Sequence, residues 1–325
     1  MKILPRGDIK SSPDTFVVQE VVGSPPELVP LADETSIRGW DRHSSVTIFE
    51  LTKSGWSTED ALREVARQLR TSFEFVKSTG LKDKHALTSQ RIAVRGMFHP
   101  FFRHRQMFLR QVEGASRLER HQANHFNILI ISDADSIDIG PARCFPNFFG
   151  PQRLGQPNSE QVGRLLFEGQ YEKAAVIAMQ TPSRRTLESA ASANGCSLAE
   201  ALFSPVFRFA LRFELEKWQS FLWNELLRQL VARDGVSGLP ERLPMWSSDS
   251  DVIRLYQHIW NPERVRSMEW ALRLAGPFSR PTIIKPNGLH AERKPAGWEI
   301  NFDLPPGCYA TVLLAQVFEL EERHL

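Results

Sequence analysis

The chain has 325 residues, 40 Lys and Arg against 38 Asp and Glu, a net charge of +2, and is 42% hydrophobic and 24% charged. Those values exclude a mainly disordered, fibrous or membrane-embedded chain. At roughly 150 residues per domain the length suggests about two domains. Phe16–Val22 and Val46–Leu51 are rich in β-branched or aromatic residues and read as strands. A helix follows, opened by a capping-box-like Ser57 and Asp60, with Ala61, Leu62, Val65, Ala66 and Leu69 on its apolar face. Its polar side carries Arg63, Arg67 and Arg70. Gly80 breaks the next stretch, Arg91–Val94 alternates as a strand, and Phe126–Ile131 reads as a buried strand. After Gly155 the periodicity turns helical over 159–180 and 198–233, with Pro205 dividing the second run. Asn261-Pro262-Glu263 resembles an N-cap with Pro at the first helical position, predicting a helix to about Gly276. Strand signals return at 282–284 and 299–304. This order implies an α+β sheet domain, 1–150 with 284–325, interrupted by a helix-rich domain at 151–283.

The near-neutral total conceals a gradient. From Arg63 to Arg120 there are 13 Lys and Arg against 5 acids, a net of +8, which leaves −6 for the remainder. No Asp or Glu occurs from Lys84 to Val112, a window that holds Lys84, Arg91, Arg95, Arg103, Arg105 and Arg110 among Phe98, Phe101, Phe102 and Phe108. Arginine forks fit phosphate and stack on bases, and aromatic rings offer further stacking faces, so the mixture suits RNA. A solvated strand-and-loop region with phenylalanines in its core fits the same composition. Three dispersed cysteines without a Cys-x-x-Cys pair predict free thiols rather than disulfides or a zinc site. No metal or cofactor is expected, because neither metal-ligand spacing nor a Gly-rich dinucleotide loop is found. Pro5, Arg6 and Asp8 interrupt what a signal peptide needs as an apolar run. The expected compartment is the cytoplasm, with no membrane and no obligatory protein partner.

The most informative stretch is Gly80-Leu81-Lys82-Asp83-Lys84-His85-Ala86-Leu87-Thr88-Ser89-Gln90. Asp83 is the last acid before the basic window, and a carboxylate among cations favours its ionised form, as a nucleophile or general base requires. On local grounds alone, a solvated charge cluster in a turn is the more ordinary reading. The stretch resembles the catalytic motif of the TruD family of tRNA pseudouridine synthases. Five further segments resemble family motifs in the family's order: Lys10–Glu20, Asn124–Phe126, Phe145–Arg153, Gln219–Asn224 and Leu304–Thr311. Where the family usually has Glu-Asp before its N-terminal phenylalanine the chain has Asp14-Thr15, and Gln19-Glu20 stand where Glu-Glu is usual. Phe148 stands in place of the tyrosine of Pro-Asn-Tyr-Phe.

The resemblance implies a pseudouridine-synthase catalytic domain, a mixed and largely antiparallel sheet flanked by helices, interrupted by the family's insertion domain. It implies isomerisation of uridine to pseudouridine, conventionally at position 13 of tRNA, without metal or cofactor. Carried over by motif position, Asp83 is the catalytic aspartate. Phe16, Asn124 and Tyr309 surround the target base, with Lys10, Glu20 and Phe126 in or near the pocket. Lys82, Lys84, Arg91, Arg95, Arg103 and Arg105 are candidates for the RNA backbone. Such chemistry needs the nucleotide flipped out of its stack, which stacking on Phe16 or Tyr309 would offset. Asp83 would then attack sugar or base, or remove a ribose proton. The rivals are a non-catalytic RNA-binding or RNA-folding module and a hydrolase using Asp83 as general base.

Overall fold

The computed structural model describes residues 4–9, 12–21, 45–98, 102–104, 106–113, 115, 117–119, 121–155, 160–180, 184–205, 207–266, 271 and 278–322. Two compact units share the chain, Met1–Arg143 with Lys285–Leu325, and Cys144–Ile284.

The first unit opens with strands Arg6–Ile9 (β1), Phe16–Val21 (β2) and Val46–Lys53 (β3). Helix Thr58–Gln68 (α1) follows, its N-terminus capped by Ser57, whose side chain accepts the Asp60 N–H at 3.1 Å. Strands Val76–Ser78 (β4), Leu87–Arg95 (β5), Phe102–His104 (β6), Met107–Gln111 (β7) and Ala123–Ile131 (β8) come next. Buried residues largely alternate along β2, β5 and β8, apolar ones such as Phe16, Val18, Ile92, Phe126 and Ile128 sharing the inner face with a few polar ones, Thr88, Gln90 and Asn124. Ala61, Leu62, Val65 and Ala66 of α1 cluster with Phe49, Leu51, Ile92, Val94 and Leu109, covering one end of that face.

The second unit contributes Phe145–Pro146 (β9), Arg242–Pro244 (β10), Ser279–Pro281 (β11) and Ile283–Ile284 (β12). Pairing of β9 with β12 ties the stretch after Arg143 to this unit. Its helices are Pro151–Leu154 (α2), Gln161–Phe167 (α3), Tyr171–Ala178 (α4), Arg184–Asn194 (α5), Leu198–Ala201 (α6), Arg208–Asp234 (α7) and Ser250–Tyr256 (α8). Gly169, at φ 69°, separates α3 from α4, and Pro205 lies between α6 and α7 as its missing N–H requires. Phe167, Trp246 and Trp260 meet edge-to-face or tilted at the centre of the core. The start of the helix predicted from Asn261 is a correction: Pro262–Arg264 form a single 3-10 turn, while Ala271, within the predicted span, is helical. Arg266 N–H, which a helix would aim at the Pro262 carbonyl, donates to Phe167 O at 2.9 Å, and Val265 is extended. Most of the stretch from there to Gly276 lies outside the described residues.

Gly163 marks the closest approach of α3 to α7. A Cβ there would lie 2.1 Å from the Glu214 carbonyl oxygen and 2.9 Å from Trp218 Cβ. Backbone cannot yield as a side-chain tip does, so Gly163→Ala should lower stability by about 1–3 kcal/mol in denaturant titration, although alanine favours helices.

The chain returns to the first unit with Asn287–Lys294 (β13), Gly297–Leu304 (β14), the buried helix Ala310–Leu314 (α9) and Glu319–Glu322 (β15). The sheet order is β13-β14-β8-β2-β5-β3-β7-β6, with β4 on β5 and β1 joining β15 to β8. Pairing is antiparallel except between β2 and β5 and between β1 and β15. The expected α+β class, a mixed and largely antiparallel sheet flanked by helices, is the class observed.

Candidate active site

Thr79–Ala86 connect β4 to β5 and carry Asp83. Polar contacts fix this loop from below. Thr58 Oγ1, in the first turn of α1, accepts the Lys82 N–H at 2.8 Å and donates to the Lys82 carbonyl at 3.3 Å. Gly55 N–H donates to Lys84 O at 2.9 Å, and His85 N–H donates to Asp83 Oδ1 at 2.9 Å. Lys53, the last residue of β3, is fully buried and donates to the carbonyls of Trp56 at 2.9 Å, Asp83 at 3.0 Å and Lys82 at 3.4 Å. Burial lowers the Lys53 pKa to about 8, against the attraction of Asp83, with Lys82 adding to the lowering. Asp83 is half-buried, while Leu81 and Lys84 beside it are exposed.

The inner-face register builds a second layer. Across neighbouring strands, Glu20 of β2 pairs with Asn124 of β8, which pairs with Leu304 of β14. The Lys82 side chain enters this row, 2.9 Å from Glu20 Oε1 and donating to Asn124 Oδ1 at 2.9 Å. Lys82 and Glu20 side chains are only 7% and 3% exposed. Glu20 also accepts from Thr79 Oγ1 at 3.2 Å and from Arg91 N–H at 2.9 Å. His121 Nδ1 lies 3.4 Å from Glu20 Oε1 and 3.2 Å from Thr79 Oγ1. Burial pushes His121 below the usual imidazole range, and the Lys82 cation adds to this against the pull of Glu20. The cluster is therefore a buried carboxylate whose oxygens are matched by a cation, a hydroxyl and a backbone donor.

Placed by their elements, the candidate residues fall into groups. The structure brings Lys82, Glu20 and Asn124 together, with Asp83 next to Lys82 in the loop. Phe16 and Phe126 meet edge-to-face at 6.4 Å, and Phe126 stacks on Phe302 at 5.2 Å. At 3% and 7% exposure, Phe16 and Phe126 pack in the sheet's core in this structure instead of presenting open stacking faces. Tyr309 is half-buried and immediately precedes α9, five residues beyond Leu304. Lys82 departs from its expected place on the RNA-facing surface, because its ammonium is spent on the buried row. Lys84 is exposed; Arg91 Nη1 lies 3.8 Å from Glu119, and the Arg95 guanidinium sits 5.1 Å from the Phe75 ring centre. For Arg103 only the backbone is described, paired to Phe108. Lys10 and Arg105 lie outside the described residues.

The family model described as tRNA pseudouridine synthase D (TruD) matches residues 5–203, which include the Asp83 loop, Glu20 and Asn124. The chain belongs to the TruD family. A "Probable tRNA pseudouridine synthase D" of Thermococcus sibiricus is 28% identical over 193 residues, 52% of this chain and 42% of the relative. Its Pyrococcus furiosus counterpart is 29% identical over 189 residues, 55% and 43% of the two chains. The match thus spans under half the length of these archaeal relatives. A "tRNA pseudouridine synthase D" of Xanthomonas oryzae is 26% identical over 355 aligned positions, 97% of this chain and 92% of the relative. A crystal structure of the Methanosarcina mazei TruD superposes with a TM-score of 0.54 at 18% identity, covering 96% of this chain and 93% of that one. At that identity the likeness is one of fold.

Reading residue types alone missed Lys53, Thr58, Thr79 and His121, all of which lie outside the Gly80–Gln90 motif. Lys53 had a signal: it stands two residues after Leu51 and four after Phe49, on the inward parity of a strand. Among the described residues, no group of three or more His, Cys, Asp and Glu could hold a metal ion, and no helix is long and apolar enough to cross a membrane. The helical unit has a separate open cavity of about 820 Å³, lined by Arg164, Lys173, Arg264 and Arg266 with Glu168 and Glu172, and it shares no residue with the Asp83 cluster.

Proposed function

We propose that this TruD-family chain is a cytoplasmic tRNA pseudouridine synthase that converts uridine to pseudouridine at position 13. The observation that carries this reading is the presentation of Asp83: a half-buried carboxylate on a loop pinned from both sides, at the head of a stretch with no other acid through Val112. A pinned carboxylate meets the positioning requirement of nucleophilic or general-base work, and the cations that follow meet the requirement of a polyanion.

The target uridine leaves its stack and enters beside Asp83. Asn124 Oδ1 is taken by Lys82, so its amide N–H₂ is oriented to donate to a uracil carbonyl. By motif position Tyr309 and Lys10 are assigned to binding the same uridine. Glu20 acts one shell out, through Lys82, and Phe16 with Phe126 forms an apolar base beneath that row. Asp83 enables cleavage of the C1′–N1 bond. The uracil ring turns, C1′ bonds to C5, the C5 hydrogen leaves to solvent and N1 gains a proton, so the reaction is an isomerisation without redox change.

Because C5–H is lost, tRNA carrying tritium at uridine C5 should release one tritium per pseudouridine formed. A non-catalytic RNA module would release none, and a hydrolase would release free uracil, so either outcome would overturn the proposal. Lys84, Arg91, Arg95, Arg103 and Arg105 are assigned to the phosphate backbone. Lys84→Ala should weaken tRNA binding and reduce the steepness of log K against log salt by about 0.7–0.9, the value of one phosphate contact, in a titration across salt concentrations.

A further inference from the structure

We infer that Lys53 is a positioning residue for Asp83, its buried ammonium clamping the two peptide planes that flank the Asp83 Cα. The ammonium has three donors and meets three carbonyls, those of Trp56, Lys82 and Asp83, at 2.9, 3.4 and 3.0 Å. The Lys82 carbonyl belongs to the peptide before the Asp83 Cα, and the Asp83 carbonyl to the peptide after it. Holding both planes fixes φ and ψ of Asp83, and with them the direction of its Cα–Cβ bond. The Trp56 carbonyl ties the same ammonium to the turn between β3 and α1, so the loop is referenced to the sheet and the helix together. From β5 and β7 the register partners of Lys53 are Thr88 and Met107, and from α1 Thr58 donates to the same Lys82 carbonyl that Lys53 meets, none of them charged. The charged groups acting on it are Asp83, which favours the ammonium, and Lys82, which opposes it.

A buried lysine on an inward strand position is costly unless the charged form does something a methionine would not. The clamp requires the proton. With a folded pKa of about 8, against 10.5 for the free side chain, the clamp is complete below pH 8 and is lost as pH rises through about 8. Stability moves the other way. Between about pH 8 and 10.5 the unfolded chain holds the proton that the folded chain has shed, so the Lys53 contribution favours the fold as pH rises. Loss of activity in that window is then not loss of the fold.

This inference builds on the proposed activity, so the test has one arm that needs no turnover. In the first arm, single-turnover pseudouridine formation is followed from pH 6.5 to 9.5 for the wild type and Lys53→Met. At pH 7 the variant should be about 10–100-fold slower, the scale of a misplaced catalytic group, with tRNA affinity retained. The wild-type advantage should collapse as pH passes about 8. An advantage that stays constant with pH, or none at all, overturns the inference. In the second arm, amide exchange of residues 82–85 in the wild type, corrected for intrinsic rate, should lose protection with the same midpoint while the core strands do not. Protection that is flat through pH 8 overturns the inference even if Lys53→Met fails to fold. Loop protection that titrates in a protein forming no pseudouridine would leave the clamp standing and remove the proposed activity.

Discussion

Asp83→Asn should reduce pseudouridine formation by at least about 10³-fold while leaving the melting temperature and tRNA affinity near those of the wild type. The substitution keeps size and shape. The Asn carbonyl oxygen still accepts the His85 N–H that meets Asp83 Oδ1 at 2.9 Å, and the backbone carbonyls that Lys53 meets are kept, although the attraction that favours the Lys53 ammonium goes with the charge. What the variant loses is the negative charge and with it nucleophile or base. Single-turnover assay on a uridine-containing tRNA, beside a thermal melt and a binding isotherm, separates the two effects. A rate within tenfold of the wild type would show that the carboxylate is not the reactive group.

Glu20→Ala should carry the largest stability effect of any single change near the site. Removing the carboxylate leaves the Lys82 ammonium, 7% exposed, without its anion, and takes acceptors from Arg91 N–H and Thr79 Oγ1. Breaking a buried ion pair from one side costs about 3–5 kcal/mol, because the other charge is stranded. Glu20→Gln, which keeps an acceptor, should cost less. Adding Lys82→Met to Glu20→Ala removes the stranded charge and should recover much of the stability, since apolar replacement of a whole buried pair is often neutral. Activity should not return with it, because Lys82 also orients Asn124 through its 2.9 Å hydrogen bond. Denaturant titration and tritium release on the same preparations read the two quantities. Activity returning in step with stability would show that the row supports the fold and nothing more.

Strand composition, rich in β-branched and aromatic residues, made the sheet legible where strands are long. Phe16–Val21, Val46–Lys53 and Ala123–Ile131 each bury alternate residues, and α1 carries its cap at Ser57. It could not reveal Arg6–Ile9 and Glu319–Glu322, four residues apiece, whose parallel pairing joins opposite ends of the chain. Nor could an N-cap signal at Asn261 show that the next helical hydrogen bond would be captured by Phe167. The site was legible as a motif and less so as a direction. The family resemblance implied that Asp83, Glu20 and Asn124 belong to one pocket. In a loop, however, no periodicity says which way a side chain turns, and Lys82 points inward while its neighbour Lys84 is exposed. Phe16 and Phe126 show the converse: the resemblance sets them at or near the target base, whereas residues on strands more often pack in the core, and both are buried there. Lys53 escaped notice because a lysine reads as surface until the parity of its strand is followed to its last residue.

The most direct test of the account is pseudouridine mapping at nucleotide resolution on unmodified tRNA incubated with the wild type and, in parallel, with Asp83→Asn. Conversion of uridine 13 by the wild type and none by the variant is the expected result. Conversion by both, or by neither on any tRNA tried, would contradict it.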